Sequence, residues 1–313
     1  MVQMGYKLQT ICLFFIMFLH QSNLYGQKAT IENVSINQWI DGTLVQPTGA
    51  NSLVIIIAGS GPVDRNGNQN YYRSSYLKKL ADGLAENGIA SFRYDKRVIK
   101  QLKSGIIDQN IRFEDFIADA KAEVSYFNAL NIFDKIFIAG HNQGALVAML
   151  ASSGFVSGII SLNGNAKNIG DTLIEQVRLS APELTASTER VVAQLKSGNT
   201  TSDYPKELEN AFNLETQPFL ISWMNYDPIE IIRNQEVPIL IVGGDKDLQV
   251  NVENADLLNE ACGQCEIKII AKMNHVLFQI EGDEMENYKS YSDPNYNISE
   301  ELISIVTNFV SSH

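Results

Sequence analysis

Two glycines enclose a polar triplet at Gly140-His141-Asn142-Gln143-Gly144, directly after the apolar run 136–139. The outline is that of G-x-S-x-G, in which a strand turns sharply into a helix and presents the central side chain as a nucleophile. Asn142 stands at the central position, where the pattern has serine. The nitrogen of a carboxamide is delocalised into its carbonyl, so Asn142 lacks the hydroxyl that such a site deprotonates for attack. The motif therefore predicts a nucleophilic site without its usual nucleophile.

Two further candidate residues follow apolar stretches later in the chain. Asp247 comes after the run 237–244, and His275 comes after the run 266–273. Asp245 is the alternative to Asp247. A histidine with a carboxylate partner is the pair that accepts and returns a proton in nucleophilic catalysis. Because the carboxyl ends of parallel strands meet at one edge of a sheet, we expect these side chains to converge on Asn142.

Short apolar strands alternate with amphipathic helices along most of the chain, which predicts an α/β protein with a mainly parallel, doubly wound sheet. Residues 29–47 alternate in polarity and predict a hairpin that turns at Asp41-Gly42. Residues 71–88 and 113–130 have helical spacing. The alternation stops over 166–235, where the patterns are helical.

Residues 166–235 lie between the sixth and seventh strands, and we interpret them as a helical lid over the ligand crevice. The alternative is that these residues form a helical insertion that does not contact the ligand. Tyr204, Trp223 and Tyr226 would line the roof of the crevice or form the core of the lid. The predicted division is a leader at 1–26, a core at 27–165 and 236–313, and the lid at 166–235.

The composition excludes some partners, and the N-terminal segment indicates the cellular location. The chain has 313 residues, a formal net charge of −12 and a pI near 4.8. Such an acidic surface disfavours nucleic acid and anionic lipid. Lys7 precedes the apolar run 8–19, and Gly26 follows at a suitable cleavage point, which predicts a signal peptide at 1–26 and export to the periplasm or beyond. An uncleaved membrane anchor is the alternative.

The cysteines outside that segment are Cys262 and Cys265. Their spacing fits a small loop staple or two free thiols, and a redox site is the weaker reading. A zinc site would need a second pair of ligands, and after cleavage the histidines are His141, His275 and His313. We therefore predict no metal site, and the oligomeric state stays open.

Several segments together resemble the α/β-hydrolase superfamily, in its secreted, serine-aminopeptidase-like and esterase-like branch. The resemblance covers the whole mature chain and is carried by AGSGPVDRNGN at 58–68, FRYDKR at 92–97, GHNQG at 140–144, GGDKDLQV at 243–250 and MNHV at 273–276. It implies the α/β-hydrolase fold and cofactor-free hydrolysis of a carboxylic ester or peptide-like bond in a small molecule. It also makes His275 the general base, Asp247 its orienting acid and Asn142 the occupant of the nucleophile position.

The resemblance further implies an oxyanion hole made of two backbone N–H groups. One belongs to Gln143, which follows the nucleophile position, and the other to the loop after the third strand, where we prefer Ser60 over Gly61. Asp64 and Arg65 then form a turn at the pocket entrance, and His141 packs beside the elbow. The chain departs from the family at Val98 and Ile99, which replace a flexible turn and indicate a changed loop.

Three hypotheses follow from Asn142. The protein binds an acyl or peptide-like ligand without hydrolysing it, as a pseudoenzyme. Alternatively, Asn142 deamidates to aspartate, the nucleophile that dehalogenases and epoxide hydrolases of this superfamily use. Finally, Asn142 is an isolated change in an otherwise intact site, and serine at this position restores hydrolysis.

Overall fold

The structure is a computed structural model that describes residues 29–105, 108 and 110–313. The predicted signal peptide at 1–26 lies outside the described residues. Within them, eight strands form one sheet in the order β1-β2-β4-β3-β5-β6-β7-β8. The pairs β1/β2 and β2/β4 are antiparallel, and the others are parallel. The strands are β1 Ala29–Ser35, β2 Asp41–Pro47, β3 Ser52–Ile57, β4 Ala90–Tyr94, β5 Lys135–His141, β6 Gly158–Leu162, β7 Ile239–Gly244 and β8 Glu266–Ile270.

Helices cover both faces of this sheet. They are α1 Tyr76–Glu86, α2 Arg97–Ser104, α3 Phe113–Leu130, α4 Gln143–Ala151, α5 Ile169–Ser180, α6 Thr185–Lys196, α7 Glu209–Phe212, α8 Gln217–Met224, α9 Pro228–Arg233, α10 Glu253–Cys262, α11 Glu284–Ser290 and α12 Glu300–Ser312. Helices α1 and α12 pack on one face, and α3, α4 and α10 pack on the other. Strands β3 and β7 are buried along their whole length, which explains why Ser52 is their only polar side chain.

Helices α5 to α9 occupy the connection between β6 and β7; α5 to α8 have an apolar cluster of their own, whereas α9 packs against the main core. The side chain of Asn168, at the start of α5, donates to the backbone oxygens of Met224 and Tyr226 at 2.8 and 3.1 Å. The backbone N–H of Phe113 in α3 donates to the hydroxyl of Ser222 in α8 at 2.8 Å. The bonds of Asn168 join two parts of the helical segment, and the Phe113–Ser222 bond attaches the segment to α3.

Local structure differs from the sequence prediction in three places. The hairpin forms, but its turn lies at 36–40, because Asn37 Oδ1 accepts the N–H groups of Trp39 and Ile40. The predicted helix at 71–88 begins only at Tyr76. We expected a loop around Val98 and Ile99, and this prediction is wrong, because the segment forms helix α2. The helix is a short amphipathic stretch that buries Arg97 and Gln101.

Cys262 and Cys265 form a disulfide with a Cα–Cα distance of 5.7 Å. The bridge closes the turn between the end of α10 and the start of β8. Of the possibilities that the spacing left open, the structure therefore shows the disulfide that closes a small loop. Among the residues that the structure describes, we find no helix with the length and apolarity needed to cross a membrane.

Candidate functional site

The elbow is a sharp turn between β5 and α4, with Asn142 at its tip. Asn142 has φ 51° and ψ −115°, and asparagine is one of the few residues other than glycine that tolerate positive φ. The two flanking glycines are required by close backbone contact. A Cβ on Gly140 would lie 2.0 Å from the oxygen of Gly144, and one on Gly144 would lie 2.5 Å from the oxygen of Ile57. Asparagine at 142 therefore keeps the turn that serine occupies in the G-x-S-x-G pattern.

The carboxamide of Asn142 is fully engaged in hydrogen bonds. Its Oδ1 accepts from the backbone N–H of Gln143 at 2.6 Å and from the hydroxyl of Ser60 at 3.1 Å. Its Nδ2 faces His275 Nε2 at 3.4 Å. The backbone N–H of Gln143 fixes which end of the amide is oxygen, because it can only donate. The NH2 group consequently points at the imidazole.

Asp247 and His275 form a hydrogen-bonded pair beside Asn142. His275 Nδ1 donates to Asp247 Oδ2 at 2.7 Å, and the Asp247 side chain is fully buried. The other carboxylate oxygen accepts the N–H groups of Gln249 and Val250 at 2.7 and 2.9 Å. Because Nδ1 carries the proton, the lone pair of Nε2 is directed at Asn142. The alternative, Asp245, instead accepts the backbone N–H of Lys272.

His141 holds the backbone of His275 in place. Its Nε2 lies 2.7 Å from the carbonyl oxygen of His275, which can only accept, so Nε2 carries a proton. Its Nδ1 then accepts from the hydroxyl of Tyr76 at 3.0 Å. Burial lowers the pKa of His141 well below its ordinary value, so the ring is neutral. Asn163 adds a bond to the same carbonyl at 3.2 Å. His141 is thus a packing and positioning residue: it borders the cavity, but both of its ring nitrogens are bound to Tyr76 and to the backbone of His275.

The predicted oxyanion donors lie on the side of Asn142 opposite His275. The N–H of Gln143 stands at the start of α4, where the helix dipole favours negative charge, and it is occupied by the oxygen of Asn142. The N–H of Ser60 donates no hydrogen bond within the described part of the chain. A ligand carbonyl at this point would compete with Asn142 Oδ1 for the N–H of Gln143, whereas the N–H of Ser60 is not bound by Asn142.

Sequence reasoning missed Lys96, which is buried directly behind these donors. Its Nζ donates to the carbonyl oxygen of Gly59 and to Oε1 of Gln143, both at 2.8 Å. The same nitrogen lies 4.4 Å from the ring centre of Phe116. Burial lowers the pKa of Lys96 to about 7. The lysine is part of the FRYDKR segment, but nothing in that segment indicates which loops it joins.

A cavity of about 630 Å³ opens above Asn142 and His275. The strand-end loops form its floor, and the helical segment contributes a largely apolar roof: Ile169, Leu173, Leu220, Trp223 and Pro228. Of the three aromatic residues predicted for the roof, Trp223 lines the cavity, whereas Tyr204 packs within the helical cluster and Tyr226 packs against the main core.

The cavity wall carries little formal charge. Among its described lining residues, Lys167 is the only lysine, arginine or acidic side chain, and it pairs with Glu175. Asp64 and Arg65 have structural partners: Asp64 accepts the N–H groups of Asn66 and Asn68, and Arg65 pairs with Asp95. No three histidine, cysteine or acidic side chains in residues 29–105, 108 and 110–313 are grouped to hold a metal ion.

Comparison with known proteins finds similarity to an esterase in sequence and to α/β-hydrolase structures in fold. The chain is 22% identical over 259 residues to the esterase EstD of Thermotoga maritima, and the match covers 80% of this chain and 61% of that protein. It superposes on Est1E from Butyrivibrio proteoclasticus with a TM-score of 0.56 at 16% identity, over 90% of this chain and 99% of Est1E. No family model matches the chain.

A second structural match is the α/β hydrolase GrgF from Penicillium sp. sh18, with a TM-score of 0.57 at 15% identity. This match covers 91% of the present chain and 99% of GrgF. The sheet order, the placement of the helices and these superpositions confirm the α/β-hydrolase fold.

Proposed function

We propose that this chain is an exported carboxylic-ester-hydrolase relative that binds a neutral ester or peptide-like ligand and, as encoded, lacks acyl-enzyme catalysis. The proposal depends chiefly on one observation. The carboxamide of Asn142 occupies the point on which Gln143, Ser60 and His275 converge. The base and its carboxylate partner are in contact at 2.7 Å, so the group that is missing is the attacking hydroxyl.

The walls of the cavity support a neutral, partly apolar ligand. Its roof is aliphatic and aromatic, and its floor offers the amide N–H groups and the Nε2 lone pair at one end. A cavity of about 630 Å³ is the size that holds a small molecule. The match to an esterase supports an ester as the ligand, and since the chain spans only 61% of that esterase, its substrates do not transfer directly. We propose that helices α5 to α9 act as the lid over this ligand.

The decisive experiment is a paired screen of the natural protein and Asn142→Ser. Both are assayed on acyl esters of graded chain length and on aminoacyl amides, and both are treated with a fluorophosphonate that labels activated serines. We expect ester turnover and labelling in the variant only. The esters and amides separate an esterase-like site from a serine-aminopeptidase-like one.

Two outcomes contradict the proposal. Serine-hydrolase turnover by the natural protein would show that catalysis does not need a hydroxyl at 142. An inactive, unlabelled Asn142→Ser variant that keeps the native circular dichroism spectrum would show that the rest of the site is not competent. Asn142→Ala, which removes the carboxamide without supplying a hydroxyl, is the matched control and should stay inactive.

A second candidate function follows from the surroundings of the carboxamide itself. The carbonyl of Asn142 accepts two hydrogen bonds, and its NH2 group faces the lone pair of His275. With His275 as base, water would add to the side-chain carbon, the protonated imidazole would return the proton to nitrogen, and ammonia would leave. The product is aspartate at 142, an alternative nucleophile beside an intact histidine–carboxylate pair.

Mass spectrometry of the peptide that contains residue 142 tests this candidate. Incubation in water enriched in heavy oxygen should place one labelled oxygen on the new carboxylate, and His275→Ala should block the change. Unmodified Asn142 after long incubation of the natural protein rules out this function, whereas it leaves the ligand-binding proposal intact.

Export is the remaining part of the proposal. The hydrophobic segment at 8–19 supports it, and so does the Cys262–Cys265 disulfide, since disulfides persist in oxidising compartments. Fractionation of expressing cells, with sequencing of the mature N-terminus, should find the protein outside the cytoplasm and begin near Gln27. A full-length protein retained in the membrane fraction would favour an uncleaved anchor.

A further inference from the structure

Lys96 has an unusual environment for a lysine. Its side chain is buried, and it follows β4 at the start of α2. Lysine is rarely buried without a carboxylate partner, because removing an unpaired charge from water is costly. The neighbouring charged residues point elsewhere: Asp95 pairs with Arg65 and Lys103, and Arg97 pairs with Asp115 and Asp119.

The three elements packed against Nζ supply no charged partner either. The loop after β3 contributes the carbonyl of Gly59, and the elbow contributes Oε1 of Gln143. Helix α3 contributes the ring of Phe116, while its acidic residues Asp115 and Asp119 are bound to Arg97. The titratable side chain nearest in the elbow, His141, is neutral and hydrogen-bonded on both nitrogens. Burial alone therefore lowers the pKa of Lys96 to about 7.

The two acceptors of Lys96 belong to the two residues that frame the oxyanion hole. The carbonyl of Gly59 and the N–H of Ser60 are the two ends of one peptide unit. The structure contains no cis peptide bond among the described residues, so in this unit the C=O and the N–H point in opposite directions. A lysine that holds the carbonyl from the protein interior turns the N–H toward the cavity, which Ser60 lines.

The second bond of Lys96 reaches Gln143, the residue that carries the second donor, through its side chain. Lys96 fixes the side chain of the residue whose backbone N–H opens helix α4. A single ammonium thus joins the two loops that carry the donors, although they are distant in the sequence. When it is charged, it also polarises the Gly59–Ser60 peptide and strengthens the N–H as a donor.

We propose that Lys96 is the positioning residue of the oxyanion hole, which sets the distance between the N–H groups of Ser60 and Gln143 and strengthens the first of them through its charge. The inference rests on the proposed function for its catalytic consequence, since an oxyanion hole matters only where a carbonyl is bound. Its structural part applies to the natural protein with or without turnover.

The first experiment uses the natural protein and needs no activity. Nuclear magnetic resonance follows the Cε signal of Lys96 and the backbone amide signals of Ser60 and Gln143 from pH 5 to pH 9. We expect the Ser60 amide to titrate with the same midpoint as Lys96, near 7. In Lys96→Met, which keeps the length of the side chain and removes the charge, this transition should vanish. Lys121→Met, at an exposed position of α3, should leave it unchanged.

The second experiment measures catalysis in the Asn142→Ser background. Lys96→Met should lower kcat about tenfold with little change in KM, less than the 10²–10³-fold that loss of a whole oxyanion donor costs. Lys96→Arg, which keeps the charge and the donors, should recover part of the loss. Because Lys96→Met leaves the oxygens of Gly59 and Gln143 without this donor, circular dichroism first verifies that each variant keeps the native spectrum.

Distinct results overturn the two proposals. A Ser60 amide signal that stays flat while Lys96 titrates, or a Lys96→Met variant with the parental kcat and pH profile, would refute the role of Lys96. If Asn142→Ser is inactive, the proposed function fails, and the amide titration in the natural protein still decides the role of Lys96.

Discussion

The floor and the roof of the cavity are built in different ways. The floor consists of loops at the ends of β3, β5, β7 and β8, where hydrogen bonds hold the side chains of Ser60, Asn142, Asp247 and His275. The roof consists of helices α5 and α8, which present aliphatic and aromatic side chains and pack around a separate apolar cluster. Directional bonds hold the floor to fixed geometry, whereas apolar contacts in the roof tolerate changes of shape.

This difference indicates a division of tasks. The floor determines which bond could react, because every distance there depends on strand ends that cannot move independently of the sheet. On the function proposed above, the roof would select the ligand, because the free energy of its contacts scales with the apolar area buried. The four predictions below test this division, and the first three use the Asn142→Ser protein as the parent.

The largest effect is expected at His275. With serine at 142, His275→Ala should lower kcat by a factor on the order of 10⁶, since loss of the base costs about as much as loss of the nucleophile. Steady-state ester hydrolysis measures this. A loss of only a few-fold would mean that the floor does not act as a unit, and the comparison with the roof would then fail.

The next effect is at the carboxylate. In the same parent, Asp247→Asn should lower kcat about 10⁴-fold, because the imidazole loses the acceptor that fixes its tautomer. Asp245→Asn is the matched control, since Asp245 accepts only a backbone N–H of Lys272. If the Asp245 variant loses as much activity as the Asp247 variant, the assignment of the acid is wrong.

A smaller effect of a different kind is expected in the roof. Leu173→Ala should alter the preference among acyl chain lengths by about 1–3 kcal/mol, the range that small changes in an apolar pocket produce. The kcat for the shortest ester should be unchanged. Leu179→Ala is the control on the same helix, because Leu179 is 80% exposed. Equal loss on all esters would show that the roof also positions the reacting group.

The last prediction concerns stability alone. Glu123 in α3 is fully buried, both of its carboxylate oxygens lack a partner within the described residues, and burial raises its pKa well above the ordinary 4.5. The folded state therefore favours the protonated acid, and stability is greatest at low pH and is lost as pH rises from 4.5 through the raised pKa.

Glu123→Gln should remove this loss and raise the free energy of unfolding by about 1–3 kcal/mol at pH 7. Urea denaturation at a series of pH values measures it, with the exposed Glu86→Gln as control. Ligand binding should not change, since Glu123 contacts neither floor nor roof. A change in ligand binding by Glu123→Gln would show that the core around α3 influences the site. It would then be wrong to assign the properties of the site to the floor and the roof alone.

Much of the floor could be predicted from the sequence because its residues follow strands that can be recognised one at a time. The glycine spacing at 140–144 and the buried runs before Asp247 and His275 are local signals. The mainly parallel α/β sheet was predicted correctly for the same reason, since alternating strands and helices fix the sheet class, whereas the α/β-hydrolase fold was implied by the family resemblance.

The role of Lys96 could not be predicted, because it depends on contacts with Gly59, Phe116 and Gln143, which only the folded sheet brings together. The hairpin turn was misplaced for a related reason. Asp41-Gly42 is a strong turn signal, but the side chain of Asn37 satisfies two N–H groups and places the turn earlier. Helix α2 was missed because its eight residues carry few apolar side chains.

The order of the sheet has a consequence for the newly made chain. His275 follows β8, an edge strand that pairs with β7 alone in the described sheet, and it stands 133 residues after Asn142. A chain emerging from the ribosome therefore exposes the elbow long before the imidazole that completes it. A product truncated before β8 would keep the elbow at Asn142 but would lack His275, which faces Asn142 in the complete fold.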